Sequence, residues 1–234
     1  MNVLVIDIGG SHVKVLASGQ SAPRQFDSNK HLTPDGLVKK VGEIVANWQF
    51  DVITLGYPGQ VRSGRPAAEP GNLGHGWVGY DFSAAFAKRV RIINDAAMQA
   101  IGAFDGGRML FLGLGTGLGS ALVIERVVVN LELGCVPWGE SGEPLFYRVG
   151  KEGLEKNGRQ AWLLAVNEAV EALGQATSAD YVVLGGGHAG EVHPLPPRAR
   201  RGANQDAFTG GFRLWEEWVE PHDRPPSDAW RVFG

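Results

Sequence analysis

The segment that most constrains this chain runs Val3-Leu4-Val5-Ile6-Asp7-Ile8-Gly9-Gly10-Ser11-His12-Val13-Lys14-Val15-Leu16. An apolar run, one carboxylate, two glycines and a second apolar run predict a β-hairpin. The turn has chemical content as well. Gly9 and Gly10 let backbone N–H groups approach an anion, while Ser11 and Lys14 add a hydroxyl donor and a cation. Asp7 closes the first strand, where a carboxylate can hold a hydrated Mg²⁺, or a water, beside that anion.

The pattern recurs. Met109-Leu110-Phe111-Leu112-Gly113-Leu114-Gly115-Thr116-Gly117-Leu118-Gly119-Ser120-Ala121-Leu122 repeats it 106 residues later, placing Leu110 on Leu4, Gly115 on Gly9 and Leu122 on Leu16. Self-similarity at a fixed offset predicts two related halves, each opening with a glycine-turn hairpin. Two such turns facing one cleft, Gly9-Gly10 and Gly115-Thr116-Gly117, would clamp a phosphate chain. Two unrelated hairpin turns are the plainer alternative.

Composition narrows the class. The chain has 234 residues, enough for one large or two small α/β units. Its formal net charge of −3 argues against nucleic acid and membrane surfaces as partners. No apolar run is long enough to span a bilayer and no leader pattern opens the chain, so a reducing cytoplasm is the expected compartment. The lone Cys135 can form neither an internal disulfide nor a multi-cysteine zinc site.

Along the chain, an edge strand and loop are expected between Ser18 and Lys30. Thr33-Pro34-Asp35 opens a helix, with Thr33 as N-cap and Leu37, Val38, Val41, Ile44, Val45 and Trp48 at helical spacing. Residues 51–55 form a buried strand, 60–79 a long loop, 81–88 a short helix, and 89–93 a strand delivering Asn94-Asp95 to a helix over 96–104. In the second half, residues 127–131 continue the sheet and deliver Glu132. Residues 137–153 read as irregular, 160–173 as a helix, 181–184 as a strand, 188–203 as a Pro/Arg-rich loop and 207–219 as the last helix.

The glycines of 113–119 invite a dinucleotide-binding reading, which fails because a strand, not a helix, follows them. Asn94-Asp95 has two readings: a helix cap, or a general base with a sugar-binding amide beside it. Glu132 is either a turn carboxylate or an acceptor for sugar hydroxyls, and Asn72 in the long loop is equally open. Trp77 reads as a core anchor. Gly185-Gly186-Gly187 is a plain turn or a close approach for a nucleotide.

Taken together and in order, Asp7/Gly9/Gly10, Asn72, Asn94-Asp95, Gly115-Thr116-Gly117, Glu132 and the triple glycine resemble the ROK family of sugar kinases over nearly the whole chain. The closest likeness is to its polyphosphate glucokinase branch, which shares the short length, the Asp7-to-Lys14 pattern and the run Phe208-Thr209-Gly210-Gly211-Phe212-Arg213-Leu214-Trp215. The segments 56–59, 71–73 and 77–81 look like the family's substrate loops.

The resemblance implies a two-lobed α/β actin-like ATPase (ribonuclease H-like) fold with duplicated halves. An N-terminal lobe over 1–105 would carry the sugar loops, and a C-terminal lobe over 106–234 the second phosphate loop and the last helix. It implies phosphoryl transfer from ATP or polyphosphate to the 6-hydroxyl of a hexose, above all glucose, with Mg²⁺ as cofactor. Asp95 is then the base, and Asn72, Asn94 and Glu132 bind sugar hydroxyls beside it. Gly9, Gly10, Ser11 and Lys14 form one phosphate loop and Gly115, Thr116 and Gly117 the other. Asp7 places Mg²⁺, directly or through water, and Gly186 and Gly187 border a nucleotide. Family members are often homodimers.

Two departures stand out. The family's zinc cluster of histidine and cysteines is missing, so no zinc is expected. Cys135 replaces the histidine of the usual Glu-Leu-Gly-His, and a thiol is a weaker hydrogen-bond partner. A sugar binder without efficient turnover, or a kinase for mannose or an amino sugar, therefore stays open. The family's repressors begin with a helix-turn-helix; this chain starts its first strand at once, so DNA binding is not expected. Arg198-Ala199-Arg200-Arg201 is either a track for a polyanionic donor or a solvated loop.

Overall fold

A computed structural model describes residues 1–216 and, by backbone alone, 231–233. Two mixed sheets share one topology. The first contains β1 (Val3–Ile8), β2 (His12–Ala17), β3 (Arg24–Asp27), β4 (Val52–Tyr57) and β5 (Arg89–Asn94), in the order β3-β2-β1-β4-β5. The second contains β6 (Arg108–Leu114), β7 (Leu118–Ile124), β8 (Val127–Leu131), β9 (Tyr181–Gly185), β10 (Ala199–Arg201) and β11 (Arg231–Phe233), in the order β10-β9-β6-β7-β8-β11. In both, a hairpin and a third antiparallel strand flank one side of the opening strand, and two parallel strands flank the other. The second sheet repeats the first and adds β11 beside β8.

The repeat is real but not rigid. Ile8 pairs with Val13, whereas its counterpart Leu114 pairs with Leu118, so the second turn is one residue tighter. The offset of 106 therefore holds for the first strand of each hairpin and becomes 105 in the second: Leu16 corresponds to Ala121, not to Leu122. Gly113 stands where the first half has Asp7.

Helices fill the layers. Helix α1 (Pro34–Ile44) starts as expected, with Thr33 Oγ1 accepting from Gly36 N–H at 3.2 Å and Pro34 in the first turn. It packs Leu37 and Val41 against Leu4, Ile6 and Ile8 on the outer face of the first sheet. Helix α2 (Phe82–Phe86) is capped by Asp81. Helix α3 (Asp95–Ala103) and, further along, α6 (Asp206–Arg213) lie between the sheets. There Val3 and Val5 meet Ala97, Ile101 and Phe208, and Met109, Phe111 and Ala121 close the other side. Helices α4 (Phe146–Val149) and α5 (Lys151–Ala176) cover the outer face of the second sheet, with Trp162, Val166 and Val170 buried on Leu110 and Leu112.

Four stretches differ from the sequence reading. Residues 137–153 are not irregular. They hold a small hairpin (Pro137–Trp138 with Glu143–Pro144), α4 and the start of α5. Helix α5 begins well before residue 160 and is interrupted at Gly158, whose φ of 74° no helix shares; the glycines there conceal the apolar period. The Pro/Arg-rich loop contains β10, parallel to β9. The last helix ends at Arg213, and residues 217–219 of the expected helix lie outside the described residues.

Helix α6 belongs to the second half of the chain yet packs on α3 and on the first sheet. Thr54 Oγ1, fully buried on β4, donates to Gly211 O at 2.7 Å and accepts from Trp215 Nε1 at 2.8 Å. The helix crossing has no room for side chains. A Cβ on Gly210 would stand 1.8 Å from Met98 O, and one on Gly102 would stand 1.9 Å from Asp206 O. Gly210→Ala should therefore cost about 3 kcal/mol or more in chemical denaturation. Gly42→Ala, in α1 with nothing within 4 Å of the new methyl, should instead add ~0.5–1 kcal/mol. Comparable losses from both substitutions would refute the crossing.

Candidate active site

Strand alternation sets the site. Asp7 shares a face of β1 with Val3 and Val5, so it points into the layer between the sheets. Helix α3 begins in that layer with Asp95 as its first residue. Both lie at the carboxyl ends of parallel strands, where α/β sheets open their clefts. Gly56 is opposite Asp7 on β4. A Cβ there would stand 2.3 Å from Met98 Cε and 3.5 Å from Asp7 Oδ1, so a side chain at this point would have to displace the end of Met98.

The two carboxyls are partly buried. Burial pushes Asp7 up to about 6, against the pull of the Lys14 charge across the β1–β2 ladder. Asp95 is pushed up to about 7. Burial is the larger cause and the charge of Asp7 the next, with a smaller push from Glu132, all opposed by the 2.8 Å hydrogen bond from Ala96 N–H to Asp95 Oδ1. Glu132, just after β8, is itself raised by burial. The structure thus puts Asp95 in the fields of both Asp7 and Glu132.

The two glycine turns also meet. A Cβ on Gly10 would lie 3.0 Å from Thr116 Oγ1 and 3.4 Å from Asn72 Nδ2, which puts both turns and the long loop at one point. Gly10, Ser11, Lys14 and Thr116 are exposed there. Ser28 braces the first turn, donating from Oγ to Gly9 O at 2.6 Å. Behind the second turn, Lys151 N–H donates to Gly115 O at 2.9 Å, and Gly115 N–H donates to Gly117 O at 3.1 Å.

Asn94 is the N-cap of α3. Its Oδ1 accepts from Ala97 N–H at 3.1 Å and its Nδ2 donates to Gly59 O at 3.1 Å, tying α3 to the long loop. An amide keeps one further N–H and one further lone pair after these bonds. Gly186 sits against the second turn rather than the carboxylates: at φ 81° its Cβ would stand 2.4 Å from Leu114 O. Gly187 has open space above it.

Glu69 is a residue that sequence reasoning passed over. Its carboxylate accepts from Trp77 N–H at 3.2 Å and Val78 N–H at 3.1 Å, and the Val78 bond leads the effects that hold its pKa below the usual carboxylate range. It shapes the loop beside Asn72, while Trp77 is fully buried, the anchor its type predicted. No local pattern links Glu69 to Trp77. Two members of the arginine run are engaged within the fold. Arg200 binds Ala103 O and Asp105, and Arg201 binds Ala189 O and Val192 O. Cys135 is exposed at the end of the turn Leu133–Cys135.

Two surface cavities, of about 890 and 990 Å³, lie elsewhere, one beside Arg108 and Asp180 and the other beside Arg148 and Glu152. Among the described residues, no group of three or more His, Cys, Asp or Glu stands ready to hold a metal ion, and no helix is long and apolar enough to cross a membrane.

Comparison with solved structures places this fold in the actin-like two-lobed ATPase class. Within that class it is the fold of ROK sugar kinases. The inorganic polyphosphate/ATP-glucomannokinase of Arthrobacter sp. strain KM superposes with a TM-score of 0.78 at 21% identity, covering 90% of this chain and 96% of that one. The ROK glucokinase of Streptomyces griseus, solved with glucose and AMPPNP, gives 0.69 at 15% identity over 92% and 99% of the two chains. The ROK hexokinase of Thermus thermophilus gives 0.64 at 18% identity over 90% and 97%. No family model and no curated protein sequence matches the chain.

The raised carboxyls have a thermodynamic consequence. Their folded values of about 6 and about 7 exceed the ordinary carboxyl range near ~4, so the folded chain holds more protons than the unfolded one between those limits. Its stability then falls as pH rises from about 4 to about 7. Asp95→Asn, which keeps the acceptor for Ala96 N–H and removes a charge, should raise the melting temperature at pH 8 by ~2–4 °C and leave it unchanged at pH 4. A lower melting temperature at pH 8 would contradict the arrangement.

Proposed function

We propose that this chain is a sugar kinase that transfers a phosphoryl group from ATP or polyphosphate to the 6-hydroxyl of a hexose, with glucose the first substrate to try. The observation that carries the reading is a cleft where two glycine turns meet beside a carboxylate raised to about 7 at a helix start. A base with that acidity is poised to take a proton from a hydroxyl at neutral pH. Two glycine-rich turns that offer N–H and hydroxyl donors fit direct transfer by positioning and charge stabilisation.

In this scheme Asp95 accepts the hydroxyl proton, a contribution worth roughly 10²–10⁴-fold. Asn72, the spare capacity of Asn94, and Glu132 hold the other hydroxyls. The N–H groups around Gly10 and Gly117, the hydroxyls of Ser11 and Thr116, and Lys14 hold the donor phosphates. Gly186 and Gly187 border a nucleoside when ATP is the donor. The chemistry at Asp7 suits Mg²⁺, bound directly or through water: a single carboxyl at a strand end beside the glycine turns would leave the ion waters and phosphate oxygens as its other ligands. Mg²⁺, when bound through Asp7, would neutralise charge on the transferring phosphoryl group. Closure of the lobes, divided at about residues 105 and 106, would exclude water from the transfer.

The test is a coupled assay for glucose 6-phosphate with Mg²⁺ and either donor, on the native chain and Asp95→Asn. Turnover should fall at least 100-fold in the variant. In the native chain kcat/KM should rise with pH and level off above about 7, because the base must be deprotonated. Glucose binding by calorimetry without turnover would make the chain a sugar binder and overturn the proposal. Turnover with mannose or an amino sugar but not glucose would change the acceptor and keep the chemistry.

A further inference from the structure

Only three polar residues are deeply buried among the described residues: Ser28, Thr54 and Ser120. Thr54 holds α6, as described above. The two serines do something else, and they do it in matching ways. Ser28 Oγ donates to Gly9 O at 2.6 Å and Ser28 N–H donates to Ser11 O at 2.9 Å, so one residue grips both sides of Gly10. Ser120 Oγ donates to Leu131 O at 2.8 Å and accepts from Leu133 N–H at 3.0 Å, so one hydroxyl grips both sides of Glu132.

We infer that Ser28 and Ser120 are positioning residues, the first for the phosphoryl donor and the second for the sugar. This rests on the kinase reading of the same cleft. The peptide plane supplies the logic for Ser28. In a trans peptide the carbonyl of one residue and the N–H of the next point to opposite sides. Turning Gly9 O toward buried Ser28 therefore turns Gly10 N–H away from Ser28, in a turn that lies against Thr116. Without the hydroxyl, Gly9 O loses its anchor, and the direction of Gly10 N–H rests on the remaining bonds of the turn, Gly9 N–H to His12 O and Ser28 N–H to Ser11 O.

Ser120 works on a carboxylate. Glu132 begins a short turn with no cap bond from its own side chain, so its backbone direction comes from its neighbours. Leu131 O and Leu133 N–H are locked to a single hydroxyl 1% exposed on β7. That lock fixes the angle at which Glu132 leaves the sheet, and hence where its oxygens can meet a sugar. Neither serine touches substrate; both act through a residue that does.

The experiment is a two-by-two comparison of Ser28→Ala and Ser120→Ala, reading the Michaelis constants for donor and for sugar together with melting temperature. Loss of one buried hydrogen bond to a site residue should show as about a tenfold change. Ser28→Ala should raise the donor constant about tenfold and the sugar constant less than twofold. Ser120→Ala should do the reverse. Parallel shifts of both constants in either variant, or no shift, would overturn the inference, because general loosening has no preference for one substrate. Where an alanine variant fails to fold, the cysteine variant, close in shape and poorer in hydrogen bonding, carries the same comparison.

Calorimetry with glucose and with Mg²⁺-tripolyphosphate separates this inference from the kinase reading. Binding of both by a native chain that shows no turnover would sink the kinase reading, and the dissociation constants of the two variants would then decide the serines. A native chain that binds neither ligand would sink both.

Discussion

Everything in this molecule hangs on how closely α3 and α6 cross. The two sheets are built from separate halves of the chain, and the helices between them are what they share. Backbone meets backbone at Gly102, Gly210 and Met98, with no side chain interposed. Such proximity lets α6 reach through to β1, where a Cβ on Gly211 would stand 2.4 Å from Val5. It also lets the buried pair of Thr54 and Trp215 lock the helix to the first sheet. Since α3 carries Asp95 at its start, the same crossing sets where the base stands relative to Asp7.

The site then follows from alternation and from strand ends. Asp7 faces the inter-sheet layer because Val3 and Val5 do, and Asp95 is there because β5 ends where α3 begins. Placing two carboxyls in that layer costs stability, and the fold does not relieve it with a buried cation. Lys14, the nearest one, is exposed. The strain is localised at the strand ends where Asp7 and Asp95 meet.

Much of this was legible in residue order. Apolar runs broken by Gly9-Gly10 and by Gly115-Thr116-Gly117 announced two hairpins, and Thr33-Pro34 announced a helix start that the structure reproduces atom for atom. Asn94-Asp95 was ambiguous between cap and site, and it is a cap in fact: one residue caps the helix and the next faces the cleft. What stayed hidden was long-range or masked by composition. Met98 and Gly210 are far apart in the chain, and nothing near either one announces the other. Gly153 and Gly158 diluted the pattern of α5, and the arginines of β10 disguised a strand as a solvated loop. Ser28 is a single hydroxyl in a polar stretch; only its burial marks it.

The slip of one residue between the hairpins has a meaning for direction. A frame made of two equal halves has no front or back, since rotating the cleft would exchange one turn for the other. Here the first turn is longer and carries Asp7 behind it, while the second is tighter and has Gly113 in the corresponding place. Duplication supplied the two turns; their unequal lengths and the one-sided carboxylate make the cleft asymmetric, so its two sides are not interchangeable.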